Sequence, residues 1–311
     1  MNLQHLAVFH QVVASGFSIS HAAAALGMSQ PLATRQLQAL ERRVGTPLFH
    51  RRKRRLAGLT PAGEAILQVV PRVLQDVETI CTVGRDAAAR EGGELVISTT
   101  HTYARHLLPP VLKRFAAQYP NVRIALRQGN PLENARDVAE GDAHVSISAA
   151  EPGAVPRDKV VQIPFARIER VIVVPPRHPL AEVDKPALRE LGRYPLVTFS
   201  GAFSARTRLI EALQKVGVTP NVVLSATDAE VIKTYVRQGM GIAVLSALSV
   251  QPDEPGLVCK SAGHLLKPDT IHVGLRRHSV LRPHQMAFIT LLAPRLKREA
   301  VEKRLAEPAA R

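Results

Sequence analysis

Residues 18–49 read SISHAAAALGMSQPLATRQLQALERRVGTPLF and predict two short helices joined by a tight turn. The alanines at 22–25 form a compact first helix that ends at Gly27, because glycine best accepts the left-handed conformation that closes a helix. Ser29 is placed to cap a second helix, and Pro31 fits its first turn, where backbone N–H groups lack helical partners anyway. Small residues on the first helix let the second cross it closely, which is the packing of a helix-turn-helix.

The second helix of this pair has an apolar face and a polar face. Its spacing predicts that Leu32, Leu37 and Leu40 point inward. The residues left outward are Gln30, Thr34, Arg35 and Gln38. Outward Gln, Thr and Arg at the start of such a helix are suited to base edges in the major groove of DNA. An ordinary helical pair with a solvated polar face is the alternative.

The beginning of the chain is strongly basic. Residues 1–60 contain eight arginines and lysines and one carboxylate, Glu41, a net charge of +7 out of the whole chain's +15. The run RRKRR at 51–55 lies between two apolar segments, which predicts a hairpin or wing rather than a disordered tail. A basic wing beside a recognition helix neutralises phosphates and fixes the register without reading sequence. These features predict a head that binds double-stranded DNA.

Several segments resemble a known family. NLQHLAVFHQVVASGFSISHAAAALGMSQPLATRQLQALERRVGTPLFHR, followed by LTPAG, is similar to the winged-helix head of LysR-type transcriptional regulators. Further on, STTHTYARHLLPPVLKRFAAQYPNVRI, YPLVTF and TDAEVIKTYVRQGMGIAVLS resemble the CysB/Cbl branch, whose members control sulfur assimilation. The resemblance implies promoter DNA and a small-molecule effector as partners.

The predicted DNA-binding residues divide into two sets. We expect Gln30, Thr34 and Arg35 to read bases, with Pro31 against a thymine methyl group. Phosphates are expected to be held by Ser29, Arg51, Arg52 and Arg54.

A linker helix is predicted after the head. Thr60-Pro61 is a cap followed by a first-turn proline, and the helical pattern continues to about Arg90. Pro71 lacks an N–H and is expected to kink this helix. Apolar residues recur at heptad spacing: Ile66, Val70, Val73, Val77 and Ile80. This seam predicts pairing with a second copy, and hence an inverted-repeat DNA site. Packing on the chain's own C-terminal domain is the alternative.

We therefore predict an α+β multidomain chain with three parts. These are a winged helix-turn-helix at 1–60, a long linker and dimerisation helix at 61–91, and an effector-binding domain at 92–311. Apolar strands alternate with amphipathic helices from residue 94 onward, which predicts parallel α/β sheets. Strands are predicted at 95–98, 122–126, 145–148, 171–174, 222–224, 242–245 and 271–275, and helices at 102–118, 132–140, 205–216, 228–238 and 284–304.

The family resemblance implies that this third part is like a periplasmic binding protein. It implies two α/β subdomains, one comprising 92–166 and 268–311 and the other 167–267. The chain is expected to cross between them near 165–168 and 265–270, with Gly92-Gly93 as the hinge into the domain. Ligands of open α/β sheets bind at the carboxyl ends of strands, which here points to the cleft between the subdomains.

The segment STTHTY, residues 98–103, is the predicted effector site. It lies between a strand and a helix, so backbone amides, hydroxyls and the positive end of a helix dipole converge there and suit a small anion. Hydroxyls at helix starts are also ordinary caps, and that interpretation stays open. The predicted set is Thr99, Thr100, His101, Thr102 and Tyr103, with Ala149, Ser204 and Thr227 from elsewhere in the cleft.

The CysB/Cbl resemblance implies roles for some of these residues. In that branch, residues matching Thr100, Thr102 and Ser204 help to hold a sulfate or an acetylated serine. Tyr103 replaces a glutamine of the branch and Ala149 a threonine that contacts the anion. Each lost hydrogen-bonding group is worth about 0.5–1.5 kcal/mol. A small polar effector is expected, with its identity open.

Composition limits the other classes. The chain is 46% hydrophobic and 22% charged over 311 residues, with only Cys81 and Cys259 as cysteines, which predicts a cytoplasmic protein without a disulfide framework. It shows no signal-peptide pattern and no run near the roughly 20 apolar residues that span a bilayer. The sequence has no HExxH or GxSxG motif, so we predict no enzyme activity, metal or cofactor.

The sequence thus predicts a transcription factor that responds to sulfate, thiosulfate or an acetylserine-like molecule. An effector that prefers one conformation would close the cleft and change the spacing of the DNA-binding heads. The resemblance also implies a dimer of dimers and contact with RNA polymerase. A LysR-type regulator of an unrelated pathway and a small-anion-binding module without regulation are the alternatives.

Overall fold

The computed structural model describes residues 2–52, 55–71, 73–74, 77, 80, 92–149, 155–251 and 253–307. The chain divides into two compact units, Met1–Arg90 and Glu91–Arg311. Within the described ranges, every helix is too short or too polar to cross a lipid bilayer.

The first unit begins with three helices: α1 (Leu3–Ala14), α2 (Ile19–Ala25) and α3 (Gln30–Val44). Helix α2 ends as predicted, with Leu26 as its cap and Gly27 at a φ of +63°. Ser29 is the N-cap of α3 and Pro31 lies in its first turn, also as predicted, although the Ser29 hydroxyl makes no capping hydrogen bond.

The core of this unit corrects one prediction about α3. Leu37 and Leu40 are buried, but Leu32 is 41% exposed, so the inward position predicted for it is wrong. Ala33 is buried instead. Positions 33, 37 and 40 follow the helical spacing of four and three, which leaves position 32 off the apolar face. An alanine there suits the small residues Ala22 and Ala23 of α2, with which it shares the core.

A hairpin and a short helix follow. Strands β1 (Phe49–Arg52) and β2 (Arg55–Leu59) pair antiparallel, so Arg51, Arg52 and Arg55 of the basic run lie on the paired strands of the predicted hairpin. Helix α4 (Pro61–Leu67) begins at the predicted cap, where the Thr60 hydroxyl accepts a hydrogen bond from Gly63 N at 3.1 Å.

The linker predicted as one continuous helix is interrupted. Helix α4 ends at Leu67, residues 68–69 form a turn, and the chain is helical again at the described positions from 70 to 80. Leu67 lies four residues before Pro71, where a proline ring clashes with the backbone carbonyl. The kink predicted from Pro71 is therefore present as a break one turn earlier. Residues 81–91 of the predicted helix lie outside the described residues.

The heptad seam is also divided. Val70 is buried, and Ile66 and Val73 pack against the same core as α1–α3. Ile80 is 69% exposed. The first half of the seam therefore packs within its own head, and only its distal part is left for a second copy.

The second unit comprises two lobes. Lobe I (92–168 and 269–307) is a five-stranded sheet of order β4-β3-β5-β12-β6. Its strands are β3 (Gly93–Thr99), β4 (Val122–Gln128), β5 (Val145–Ser148), β6 (Val160–Ile168) and β12 (Asp269–Arg276). Its helices are α5 (His101–His106), α6 (Leu108–Gln118), α7 (Pro131–Glu140), α11 (Pro283–Leu292) and α12 (Arg298–Ala306).

Lobe II (169–268) repeats this arrangement. Its strands are β7 (Arg170–Val174), β8 (Leu196–Phe199), β9 (Val222–Ala226), β10 (Ala243–Ser246) and β11 (Val258–Ser261), and its helices α8 (Leu188–Leu191), α9 (Ser204–Lys215) and α10 (Ala229–Arg237). A parallel bridge from Leu196 to Ile242 joins the β8-β9 pair to the β10-β7-β11 sheet. The resulting order, β9-β8-β10-β7-β11, matches that of lobe I.

The prediction of wholly parallel sheets is wrong. Strand β12 is antiparallel to β5 and β6, and β7 is antiparallel to β10 and β11. These are the two strands by which the chain enters one lobe from the other, so neither follows a helical crossover within its own sheet. The changes of lobe occur at 168–170 and 262–268, close to the predicted places.

Other differences have local causes. The prediction lacks β6, β8 and β11; β6 contains Pro164, which lies at a register shift on the edge of the sheet, where proline is tolerated. The helix predicted at 284–304 is divided at Ala293, because Pro294 follows and proline disfavours helical conformation in the residue before it. The helix predicted at 102–118 is divided at Leu107, because Pro109 and Pro110 in the first turn of α6 have no N–H with which to continue the hydrogen bonding of α5.

Candidate DNA-binding surface and effector pocket

The first turns of α3 present an exposed polar surface. Gln30, Pro31 and Arg35 are exposed, and Thr34 is partly buried. The Thr34 hydroxyl donates to the Gln30 backbone carbonyl at 3.0 Å, which leaves its oxygen lone pairs available. These four residues are the predicted base-reading set, and their contact with DNA stays a prediction.

A residue that sequence reasoning missed positions Gln30. The Ser20 hydroxyl, from the first turn of α2, donates to Gln30 Oε1 at 3.1 Å. The carbonyl end of the Gln30 side chain is thus engaged by protein, while the amide nitrogen keeps two N–H donors. In the sequence, the one indication of this contact is that Ser20 is polar and lies in the helix before the turn.

The wing is tied to α3 through one carboxylate. Glu41 accepts a hydrogen bond from Leu48 N at 2.9 Å and pairs with Arg51, whose Nη2 lies 3.3 Å from Glu41 Oε2. Arg52 is exposed and, among the described residues, has no carboxylate partner. Ser29 is exposed at the start of α3, whereas Arg54 lies outside the described residues.

A small pocket of about 40 Å3 lies between the two lobes. Five of the eight predicted effector residues line it: Thr100, Thr102, Tyr103, Ala149 and Ser204. Two stacked rings, Phe199 and Phe203, form part of its wall. The Ser204 hydroxyl, at the start of α9 in lobe II, donates to the Ala149 carbonyl of lobe I at 2.8 Å. This bond crosses the cleft beside the pocket.

The other three predicted residues lie outside this pocket. Thr99 is buried and its hydroxyl donates to the Ile147 carbonyl at 2.8 Å, which joins β3 to β5. His101 lines a separate cavity of about 240 Å3, together with Arg105, His106, Gln128 and Asp228. Thr227 is exposed in the bend after β9 and lines neither cavity.

Ion pairs cross the cleft beside the larger cavity. Glu230 of α10 in lobe II lies 3.6 Å from Arg105 and 3.7 Å from His106, both on α5 of lobe I. With the Ser204 bond, these contacts hold the facing edges of the two lobes together.

A buried ion cluster forms the base of the small pocket. Asp269 lines the pocket, and Arg170 Nη2 donates to its Oδ1 at 2.5 Å. Arg170, only 1% exposed, also donates from Nη1 to the Ala205 carbonyl at 2.8 Å, while Arg208 lies 3.5 Å from Asp269. Arg170 begins β7 and Asp269 begins β12, so the cluster joins the two places where the chain changes lobe. In the sequence, the one indication of this cluster is a charged residue at the start of each of these two apolar strands.

The Tyr103 phenol remains protonated in this setting. Burial raises the pKa of Tyr103 well above its ordinary value, the nearby Asp269 adds to the rise, and Arg170 opposes it. Tyr103 therefore contributes a neutral hydroxyl to the pocket. With Ser204 at the start of the twelve-residue helix α9, the pocket offers hydroxyl donors and a positive helix end to an anion.

In the described part of the chain, no group of three or more His, Cys, Asp or Glu residues is arranged to hold a metal ion. Cys259 is partly buried, and burial raises the pKa of its thiol. Cys81 lies outside the described residues.

Comparisons with known proteins agree with this architecture. A model of the bacterial regulatory helix-turn-helix of the LysR family matches residues 3–64, and a model of the LysR substrate-binding domain matches residues 88–297. The chain is 37% identical to the regulator SsuR of Burkholderia cenocepacia over 99% of both proteins. It is 34% identical to CysB of Haemophilus influenzae, over 97% of this chain and 93% of CysB.

A solved structure gives the same result for the second unit. The cofactor-binding domain of the Cbl transcriptional regulator matches with a TM-score of 0.65 and 33% identity, over 70% of this chain and 94% of that one. The predicted family and fold class are confirmed. This chain belongs to the LysR family of bacterial transcriptional regulators.

Proposed function

We propose that this regulator controls genes of sulfur assimilation in response to a small oxyanion bound between the two lobes. The observation that carries the proposal is the pocket in which Thr100, Thr102 and Ser204 meet, in a chain similar over nearly its whole length to SsuR and CysB. The resemblance to the sulfur-regulating branch supplies the pathway.

The pocket favours a compact ligand rich in hydrogen-bond acceptors. Its groups are hydroxyls and the start of α9, and Asp269 is paired with two arginines, which offset its charge. The cavity is small, about 40 Å3. Sulfate or thiosulfate therefore suits it better than the larger acetylserine, which requires the lobes to separate further. The bound oxygen would replace the Ala149 carbonyl as the acceptor for Ser204.

On DNA, α3 and the wing have different roles. Gln30, Thr34 and Arg35 read base edges in the major groove, with Pro31 against a thymine methyl group. Phosphates are held by Ser29, Arg51, Arg52 and Arg54. When Arg51 contacts a phosphate, its ion pair with Glu41 is either broken or kept alongside that contact.

Effector and DNA are coupled through the conformation of the second unit. An oxyanion that binds the closed cleft more tightly than the open one shifts the protein toward closure. In a dimer of dimers, closure changes the spacing of the DNA-binding heads and presents the promoter differently to RNA polymerase. A regulator of an unrelated pathway would share every part of this scheme except its target genes.

Two measurements test the proposal. Calorimetric titration of the full chain with sulfate, thiosulfate and acetylserine should show binding that Thr102→Ala weakens and the exposed Thr290→Ala does not. Genome-wide mapping of bound DNA, with and without sulfur limitation, should place the protein at sulfur-assimilation promoters. An effector affinity that is unchanged in Thr102→Ala would refute the assignment of this pocket as the effector site. Binding at the promoters of unrelated operons would refute a role in sulfur assimilation.

A further inference from the structure

A third cavity in the effector unit has no role in the proposed function. It is a groove of about 750 Å3 formed by α8, the C-terminal half of α9, the end of β6, the segment 265–268 and Thr270. Both segments by which the chain changes lobe therefore border it.

Cations converge on this groove. Arg167, Lys215 and Lys267 line it and are exposed, and among the described residues none of them has a carboxylate within ion-pair distance. Arg208 lines it too, and Glu211 is the one acidic residue of its described lining, which gives the lining a net charge of +3. Unpaired like charges around a concave surface raise its positive potential and attract anions.

The floor of the groove is apolar. It comprises Leu188, Ala212, Val216, Leu265 and Leu266. A concave site of roughly 300–1,000 Å3 with an apolar lining and a few placed charges is typical of metabolite binding. The groove suits a ligand that combines an apolar or aromatic body with more than one negative charge, whereas a bare oxyanion would leave the floor unused.

Arg208 connects the groove to the small pocket. It lines the groove, and its Nη1 lies 3.5 Å from Asp269, which lines the pocket. An anion in the groove that draws Arg208 toward itself removes positive charge from Asp269. The pocket then becomes more negative and holds an oxyanion less tightly.

We propose that this groove binds a phosphorylated metabolite with an aromatic body, of the nucleoside phosphate class, and that its binding weakens oxyanion binding in the small pocket. The binding claim stands apart from the proposed function, and the coupling rests on it. Because coupling between sites is reciprocal, sulfate should weaken nucleotide binding by the same factor.

Calorimetry on the full chain tests the binding claim. Adenosine 5′-phosphate is the probe, with inorganic phosphate and adenosine as its two halves. The nucleotide should bind more tightly than either half. Lys215→Gln combined with Lys267→Gln should weaken it about tenfold or more, because charged hydrogen bonds are lost. Lys185→Gln, an exposed lysine of the same lobe that does not line the groove, is the matched control and should not change affinity.

The contrary results are distinct. No nucleotide binding, or equal affinity in the double variant and in Lys185→Gln, would overturn the groove assignment. Inorganic phosphate binding as tightly as the nucleotide would show that the apolar floor does not contact the ligand, and would overturn the assignment of a ligand with an aromatic body. If the double variant instead loses DNA affinity in a fluorescence anisotropy titration, the groove is a DNA contact and the proposal fails.

The coupling has its own readout. At saturating adenosine 5′-phosphate, sulfate affinity should fall about fivefold or more, and the double variant should abolish this effect. Unchanged sulfate affinity would refute the coupling. An absence of sulfate binding alongside intact nucleotide binding would instead refute the proposed effector and leave the groove assignment in place.

Discussion

At the start of α3, one hydrogen bond determines which atoms of the Gln30 side chain are left free for the proposed contact with DNA. The Ser20 hydroxyl engages Gln30 Oε1 at 3.1 Å, so the side chain offers two N–H donors and has its acceptor occupied. Two donors match the acceptors on guanine or the O4 atom of thymine. A free glutamine offers a donor and an acceptor together, which match adenine.

Ser20→Ala should therefore change base preference at the position that Gln30 reads. Releasing the carbonyl should favour adenine there, with a change in discrimination of about 1–3 kcal/mol and little change in overall affinity. Binding-site selection with the full chain measures this. Ser15→Ala, in the turn after α1, is the control. An identical base profile for wild type and Ser20→Ala would contradict the positioning role.

Arg35 and Arg52 should differ in the same assay. Arg35→Ala should relax base preference at one position, because Arg35 is exposed on α3. Arg52→Ala should weaken binding to all sequences and lower the salt slope by about 1, as expected for one lost phosphate contact. Equal salt slopes and unchanged discrimination in both variants would contradict this division of roles.

The buried pair of Arg170 and Asp269 should be needed for stability. Asp269→Ala leaves a buried arginine without its carboxylate, which typically lowers the free energy of unfolding by about 3–5 kcal/mol. Asp142→Ala removes an exposed partner 3.8 Å from Arg127 and should cost about 1 kcal/mol or less. Urea unfolding compares the two. Similar losses would show that the buried pair is not a structural clamp.

At the scale of elements, local signals predicted more than distant ones. Gly27, Pro31 and Thr60 mark helix ends by their own local chemistry, and the structure places the ends there. Leu32 was misplaced because the phase of a helix depends on which neighbour it packs against. The Arg170–Asp269 pair spans 99 residues, and no local pattern reveals such a contact.

The linker shows the same distinction. Its heptad spacing is visible in the sequence, but the use of Val70 by the head's own core depends on tertiary packing. Val70→Ala should destabilise the head by about 1.5–3 kcal/mol, because it removes two buried methyl groups, each worth about 0.8 kcal/mol, and leaves a cavity. Ile80→Asp should leave the head's stability unchanged and weaken self-association, because Ile80 is 69% exposed.

Thermal unfolding and sedimentation equilibrium separate these two effects. Ile80→Ala serves as a milder control for the change in charge. Self-association that is unchanged in Ile80→Asp would contradict a role for the distal seam in pairing two copies.

In the protein as a whole, the proposed function connects one small pocket between the lobes with binding to DNA. The Ser204–Ala149 bond and the Glu230 ion pairs join the lobes at the cleft, and the Arg170–Asp269 cluster joins them where the chain crosses. A ligand that alters any of these contacts changes the balance between open and closed lobes. Only an effector with different affinities for the two states can produce such a shift.

Footprinting of the full chain on a target promoter, with and without sulfate, tests whether a ligand of the small pocket changes how the protein binds DNA. We expect protection of an inverted repeat, with a boundary or a hypersensitive position that moves when sulfate is added to the wild type and does not move in Thr102→Ala. Uniform protection that ignores sequence, or a sulfate effect that is unchanged in Thr102→Ala, would contradict the proposed function.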